Sequence, residues 1–390
     1  MSLLGNLFSD SKQKLPKVDI AKRYNLIARV GQGSMSKVWR AEDAMGGQMM
    51  AIKVLDKEKT RKFEARFAGL DKPDEGHIAM SLHHPYIVKT LDIGLTLEDE
   101  MFLAMEYVEG SGLALLVDLQ SDQMRRYRIR YMIQIGEALE YFHKKELLHR
   151  DICPRNIMVT ESDQIRLIDF GLALPNTPDF RKPGNRTGTA NYMAPELIKR
   201  QPTDHRIDIF SYAVTCFEMY TKRHPWDAAM TIDAVFQHVN KPPLDIRELV
   251  PGIDEQIASA IMKGLERDPN DRWQNIADMV KELRAAEVRL VGIVKAAKKQ
   301  ARQQKAAADG PATGEQASAA PGSKKARAAR KKAAAPKGPT RKGAAEKPNT
   351  ADEDLDVLAM LSDDDDDDSR LDSNADILAA DMDDDDLALD

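Results

Sequence analysis

His149-Arg150-Asp151, with Asn156 further along and then Asp169-Phe170-Gly171, is the stretch whose reading decides the fold. It places two carboxylates and an amide within about twenty residues, on what read as two loops. The apolar runs Ile157-Met158-Val159 and Ile165-Arg166-Leu167-Ile168 flank turn residues at Glu161-Ser162-Asp163, which predicts a short hairpin. Such a hairpin brings Asn156 and Asp169 side by side. Phosphoryl transfer needs a set of this kind: a carboxylate to orient a hydroxyl nucleophile, and oxygen ligands for Mg²⁺.

Outward from this stretch, strand-period alternation covers Tyr24 to Val30, Lys37 to Glu42 and Met49 to Leu55. The pattern predicts a helix over 62–82 and strands near Val88 to Leu95 and Met101 to Tyr107. From Asp122 it turns helical, with Tyr131, Ile135, Leu139 and Phe142 near the 3.6-residue period. Further helices read at Arg206 to Tyr220, Ala229 to His238, Asp254 to Leu265 and Trp273 to Glu287. A strand-rich part precedes a helical part, an α+β layout.

The ordered set His149-Arg150-Asp151, Asn156 and Asp169-Phe170-Gly171 resembles the H-R-D-x-x-x-x-N and D-F-G pattern of the protein kinase family. The resemblance covers about Tyr24 to Val291 and implies the bilobal kinase fold, with a strand-rich N-lobe and a helical C-lobe. It looks like the eukaryotic-like Ser/Thr branch, for which ATP-Mg²⁺ is the donor and a protein Ser/Thr hydroxyl the acceptor. Asp151 is then expected to orient that hydroxyl and accept its proton late, and Asn156 and Asp169 to hold Mg²⁺.

Other pieces fall where the family places them. Gly31-Gln32-Gly33-Ser34-Met35-Ser36 lies between two predicted strands, and glycines let backbone approach phosphates. Ser36 stands where the family has a third glycine. Ala51-Ile52-Lys53 matches the family's strand lysine. A buried ammonium needs a counter-charge; Glu75, nine residues before His84-Pro85, is the candidate among Glu64, Asp71 and Asp74. Met105-Glu106-Tyr107-Val108-Glu109-Gly110 resembles the hinge. There Glu106 and Val108 are expected to bond the adenine edge with main-chain groups, while Val38, Ala51 and Met158 sandwich the ring. Plain core packing is the alternative for those apolar residues.

One departure concerns charge. Ser/Thr-specific members carry Lys two residues after the aspartate of the H-R-D motif, and here that residue is Cys153. Arg155 stands four residues after Asp151, where some tyrosine-specific members carry an arginine, and is expected to replace the missing cation as a third catalytic group beside Asp151 and Lys53.

Gly188-Thr189-Ala190-Asn191-Tyr192-Met193-Ala194-Pro195-Glu196 has the Ser/Thr form of the segment end. The resemblance implies a Thr189 to Asp151 hydrogen bond, a Glu196 to Arg272 pair, and Asp208 as a brace under the H-R-D loop. Thr187 and then Thr177 are the phosphorylation candidates, with Arg150 as the cation that meets the phosphate.

The ends differ from this domain. Residues 1–22 read as a leader, 23–291 as the kinase domain, 292–350 as a basic disordered linker and 351–390 as an acidic tail. The chain's net charge of −6 hides the contrast: residues 301–350 carry 12 Lys/Arg and 3 Asp/Glu, and residues 351–390 carry 1 Arg and 18 Asp/Glu. The tail repeats at an offset of twenty: Asp356-Val357-Leu358-Ala359 with its run Asp363 to Asp366 aligns with Asp376-Ile377-Leu378-Ala379 and Asp383 to Asp386. Too few apolar groups are present beyond 298 to bury a core. Two cysteines make no disulfide framework and suit a reducing, cytoplasmic setting, and no run is long enough for a membrane span.

Two further classes stay open on sequence alone. One is a nucleotide-binding scaffold with little transfer activity, favoured by Cys153 and Ser36 but opposed by Lys53, Asp151, Asn156 and Asp169. The other is tail-driven nucleic-acid association, since the basic run resembles linker-histone tails; the adjacent acidic segment argues against it. The repeated acidic islands also read as docking peptides for a basic, grooved partner, or as a pseudo-ligand for the chain's own basic tail.

Overall fold

In the computed structural model, residues 14–32, 35–182, 187–226 and 239–308 are described. After a single turn of helix, α1 (Ile20–Arg23), five strands form an antiparallel sheet: β1 (Tyr24–Gln32), β2 (Ser36–Asp43), β3 (Met49–Leu55), β4 (Thr90–Leu95) and β5 (Met101–Glu106). Their order is β1-β2-β3-β5-β4, so β3 lies in the middle of the sheet. Gly31 opposes Val38, and Val38 opposes Lys53 across β2 and β3. Ala51 opposes Met105 and Lys53 opposes Leu103 across β3 and β5. Side chains alternate between faces along a strand, so Val38, Ala51 and Lys53 share one face.

The helix expected over 62–82 is not continuous. The chain forms α2 (Lys57–Glu64), a 3₁₀ turn (Ala65–Phe67), a non-helical stretch, and α3 (Glu75–Met80). Gly69 takes φ +84°, and Pro73 follows. Asp74 then restarts the helix by accepting the His77 N–H at 2.9 Å. The linking segment is pinned to the second half of the molecule, where Val88 N–H donates to Leu167 O and Leu167 N–H donates to Tyr86 O, both at 2.9 Å.

Beyond the hinge come β6 (Gly110–Gly112), α4 (Leu113–Leu119), α5 (Asp122–Lys144), β7 (Leu147–Leu148), β8 (Ile157–Thr160), β9 (Ile165–Leu167) and β10 (Leu174–Pro175). Ser121 caps α5 by accepting the Met124 N–H. Strands β8 and β9 are the expected hairpin, with Ile157 opposite Leu167. The helices α6 (Pro195–Ile198), α7 (Arg206–Thr221), α8 (Ile246–Leu249), α9 (Glu255–Gly264) and α10 (Ile276–Ala308) complete the described chain. A Cβ on Gly136 would lie 2.4 Å from Val280 Cγ2, so only glycine lets α5 and α10 approach as they do. Ile135, Leu139, Phe142, Phe210, Phe217, Ile261 and Leu283 are buried in the large core between these helices.

Two expectations need adjustment. The last helix does not stop near 287, nor does order end at 291: α10 continues to Ala308, with Leu290 and Val294 buried in the core. Its Ala, Lys, Gln and Arg residues are strong helix formers, so a composition that resembled a linker also suits a helix. Helix α4 was not foreseen, because it is short and follows Gly110-Ser111-Gly112. Gly33 and the helix expected over 229–238 lie outside the described residues, as do residues 309–390.

Candidate active site

Lys53 sits on the central strand with its side chain 5% exposed. Its Nζ lies 2.5 Å from Glu75 Oε1 and 2.8 Å from Asp169 Oδ1. Burial acts to lower the lysine pKa, but the two carboxylates outweigh it, and the net displacement is upward. Burial raises the Glu75 pKa against the pull of Lys53. For Asp169 burial also acts upward, yet the Lys53 charge prevails and the net displacement is downward. Lys53 is thus shared between two acidic side chains, its charge drawing Asp169 below the usual carboxylate range while burial holds Glu75 above it.

Asp169 lies two residues past the end of β9. Ile168 N–H donates to Asn156 O at 3.0 Å, so the hairpin does place Asn156 and Asp169 at one end of the ladder. Phe170 is buried against Phe142 and His149, with ring centroids 5.7 and 6.0 Å away. Gly171 N–H donates to Asp169 Oδ1 at 2.9 Å. The aromatic anchor and this turn fix the carboxylate that meets Lys53.

Asp151 has both carboxylate oxygens engaged. Thr189 N–H and Oγ1 each donate to Oδ1 at 2.8 Å, and Asn156 Nδ2 donates to Oδ2 at 2.8 Å. Asn156 Nδ2 also donates to Asp151 O at 2.8 Å. The close approach of the two loops depends on Gly188, which takes φ +129° and whose Cβ would lie 2.8 Å from Arg150 O. Under the loop, fully buried Asp208 accepts the N–H groups of His149 at 2.9 Å and Arg150 at 2.7 Å. It also meets His143 Nε2 at 3.1 Å. Arg150 itself holds φ +69°, a conformation uncommon outside glycine, and the Asp208 bonds stabilise it.

The donor set suits a hard divalent cation. Both amide hydrogens of Asn156 point at Asp151, which leaves its Oδ1 without a hydrogen bond among the described residues. That oxygen and the Asp169 carboxylate are two hard ligands. Mg²⁺ commonly takes only one or two protein oxygens and fills its shell with phosphate and water. The hinge suits an adenine edge. Past β5, Val108 is half-buried, and neither its N–H nor its C=O has a backbone partner among the described residues. Glu106 N–H is committed to Lys89 O at 2.9 Å. Ala51, Val38 and Met158 are half-buried, on β3, β2 and β8.

Cys153 and Arg155 are placed differently from each other. Cys153 is 1% exposed, and burial pushes its thiol up to about 12, so it is a neutral thiol. Its Sγ is 3.9 Å from Thr189 Oγ1. Arg155 is exposed on the 3₁₀ turn Pro154–Asn156; its backbone N–H turns to the Cys153 thiol, and its side chain makes no hydrogen bond or ion pair among the described residues. Its charge bears on Glu218, Tyr192 and His224. No contact joins it to Asp151 or Asp169.

Three site features were not read from the sequence. Tyr192 donates to the half-buried Glu218 carboxylate in a short hydrogen bond. Arg66, on the 3₁₀ turn after α2, lies near enough to Arg150 for the two positive charges to oppose each other. Asp74 orients His77, whose Nδ1 is 2.7 Å from its Oδ2. Asp74 lay inside the helix expected over 62–82 and so was not read as a cap. Of the two threonine candidates, Thr187 is half-buried with Oγ1 unpartnered among the described residues. Thr177 accepts the N–H groups of Phe180 and Arg181 at its carbonyl. The expected pair of Glu196 and Arg272 is present as two parallel hydrogen bonds of 2.7 Å.

A strand lysine shared by two carboxylates, set across from a loop carboxylate clasped by threonine, is the architecture of two-lobed phosphotransferases. Residues 24–283 match the family described as "Protein kinase domain". The chain belongs to the protein kinase family. Over 271 residues it is 32% identical to a Streptomyces coelicolor protein named "probable serine/threonine-protein kinase", covering 67% of this chain and 40% of that one. It is 28% identical over 270 residues to the serine/threonine-protein kinase PrkC of Bacillus subtilis, covering 68% and 41%. To the Aurora kinase of Saccharomyces cerevisiae it is 31% identical over 266 residues, covering 67% and 70%. The chain thus spans about two-fifths of the length of the bacterial relatives it matches. Among the described residues no helix is long and apolar enough to cross a membrane.

Proposed function

We propose that this chain is a protein-serine/threonine kinase that moves the γ-phosphoryl group of ATP to a Ser or Thr hydroxyl of a protein. The observation that carries this reading is the sharing of Lys53 between Glu75 and Asp169, with Asp151 held separately by Thr189. Lys53 is then poised to meet the α- and β-phosphates, and the Gly31 to Gly33 backbone to cover them. Glu106 and Val108 present main-chain groups to the adenine edge, and Val38, Ala51 and Met158 bracket its ring.

Asp151 orients the incoming hydroxyl and takes its proton late in transfer. Asn156 and Asp169 would hold Mg²⁺, which when bound neutralises phosphate charge. Arg155 supplies the cation that Cys153 does not. Its exposed position leaves it free to turn toward the transferring group, and the reading requires that turn. Thr187 is the proposed autophosphorylation site and Thr177 the second. A phosphate on Thr187 has Arg150 and, from the N-lobe, Arg66 as cationic partners. Both cysteines are free and buried, which supports work in a reducing compartment such as the cytoplasm.

The test is transfer from γ-labelled ATP with Mg²⁺ to arrayed Ser/Thr peptides and to the protein itself, using full-length chain and Asp169→Asn. Label incorporated by the first alone, with Thr187 among the mapped sites, is the expected result. Nucleotide binding without transfer by either protein would instead support the scaffold reading.

A further inference from the structure

Helix α10 continues beyond the core that anchors it. Leu283, Ala286, Leu290 and Val294 are buried on one face. The opposite face carries Val288, Gly292, Lys295, Lys299 and Arg302, spaced alternately four and three residues apart. On an α-helix that spacing makes a single seam, and from 288 to 302 it runs about 21 Å. Val288 is 73% exposed, and a Cβ at Gly292 would meet nothing within 4 Å. Lys295, Lys299 and Arg302 are exposed. No Asp or Glu occurs between Val288 and Ala308. The seam is therefore an apolar head followed by a line of cations whose charge the helix itself does not balance.

The same chain holds a complementary segment. Residues 351–390 carry 18 Asp/Glu and 1 Arg, arranged in two copies of one pattern. Each copy is an apolar island, Val357-Leu358-Ala359 or Ile377-Leu378-Ala379, followed by an Asp run starting at 363 or 383. The order, apolar and then charged, is the order along the helix.

We propose that the acidic repeats of this chain dock on the outward seam of α10, each island against Val288 and each Asp run along Lys295, Lys299 and Arg302. Reach is no obstacle. The 42 residues from 309 to 350 have an extended limit of about 140 Å, several times the length of the seam. A competitor for the acidic tail lies in residues 309–350, which hold Lys324, Lys325, Arg327, Arg330, Lys331 and Lys332. That stretch contains no Val, Ile, Leu, Met, Phe, Tyr or Trp, so it offers charge alone. The seam offers charge together with an apolar contact, on a backbone already ordered, so less conformational freedom is lost on docking. Two copies facing one seam raise the chance of occupancy without requiring both.

Carbodiimide cross-linking of the full-length chain, read by mass spectrometry, tests this, because the reagent joins a lysine amine to a carboxylate at zero length. Lys295 or Lys299 joined to Asp363–Asp366 or Asp383–Asp386 is expected. In a mixture of isotopically light and heavy protein, those links fall within one molecule. They fade at about 0.5 M NaCl, where screening shortens to a few ångströms. Val288→Asp, a change at an exposed site, lowers the helix links about fivefold, while links to Lys324 and Lys331 persist. Deleting one repeat leaves the helix links, and deleting both abolishes them. Links confined to the lysines of 309–350, links mainly between light and heavy copies, or helix links indifferent to Val288→Asp would each overturn the proposal.

Discussion

Lys53 Nζ lies 2.5 Å from Glu75 Oε1, although Glu75 is the first residue of a six-residue helix. The helix is short because Gly69 and Pro73 break the chain before it, and Asp74 fixes where it begins. The glutamate is thus positioned by a cap rather than by a long helix. Its side chain is 9% exposed and that of Lys53 5%. Removing one member of a buried charge set leaves the others uncompensated. Lys53→Met, which leaves Glu75 and Asp169 facing each other, is expected to lower stability by about 3 kcal/mol and to abolish labelled transfer. Glu75→Gln keeps the Asp169 contact and is expected to be milder on both counts. Urea unfolding beside a transfer assay checks the order. Equal effects would show that Asp169 does not share the lysine.

Thr189 clasps Asp151 through its N–H and its hydroxyl. Only the hydroxyl contact depends on the side chain. Thr189→Val is expected to lower kcat about tenfold, the equivalent of one hydrogen bond to a charged group, with little change in KM for ATP. Thr189→Ser should restore most of it. A loss that serine does not repair would mean that the methyl group matters, through packing of the segment.

The parts legible in the sequence were those fixed by short local patterns. The β8–β9 hairpin followed from two apolar runs around a polar turn, whereas Lys53 stood out only through the resemblance of Ala51-Ile52-Lys53 to the family's strand lysine. Glu75 could be chosen over Glu64, Asp71 and Asp74 only through a resemblance in spacing, because periodicity does not say which acidic side chain turns inward. The broken helix between 57 and 80 was illegible because a helical period persists across Gly69 and Pro73 when apolar residues recur on both sides. The run of α10 past 291 was misread for the opposite reason, since Ala, Lys and Gln serve both helices and linkers. Arg66 approaches Arg150, and Tyr192 meets Glu218, by tertiary packing alone. No local signal marks either.

Arg272 and Glu196 form a bidentate pair with side chains 0% and 5% exposed. Arg272 also donates to the carbonyls of Glu266, Arg267 and Arg206. Arg272→Met is expected to cost about 3–5 kcal/mol, because it strands a buried carboxylate. The double change Arg272→Met/Glu196→Leu removes both charges and should be less damaging than the sum of the single changes. A double-mutant cycle in urea measures the coupling; additive effects would show the pair to be uncoupled.

Arg155 is exposed and unpaired among the described residues, while Cys153 beside it is a buried neutral thiol. If Arg155 neutralises the transferring phosphoryl group, Arg155→Ala lowers kcat by about 10²-fold, a few kcal/mol of transition-state stabilisation. KM for ATP should change little. The combination Arg155→Ala/Cys153→Lys restores a cation from the other position and should recover part of the loss. Full activity in Arg155→Ala alone would remove the arginine from the reaction and leave Lys53 as the main protein cation on the phosphates.

His84 sits against Tyr86 and Tyr141, ring centroids 5.4 and 5.1 Å away, and its Nδ1 accepts the Tyr86 N–H at 3.3 Å. Burial pushes its imidazole down to about 4, whereas an unfolded chain has a value of about 6.5. Above about pH 6.5 the ring is neutral in both states, and its contribution to stability is complete. As pH falls from there toward 4, the unfolded chain takes up a proton that the folded ring refuses. The unfolded state is then favoured, and the contribution is lost through that window. His84→Gln keeps an acceptor but cannot titrate. Its stability deficit relative to the parent should therefore shrink between pH 7 and pH 4.5 by about 1–2 kcal/mol, allowing for the partly solvated ring. Urea unfolding of both proteins at the two pH values measures it. A deficit that stays constant across the window would mean that the folded ring titrates like a free imidazole, and that the tyrosines do not hold it neutral.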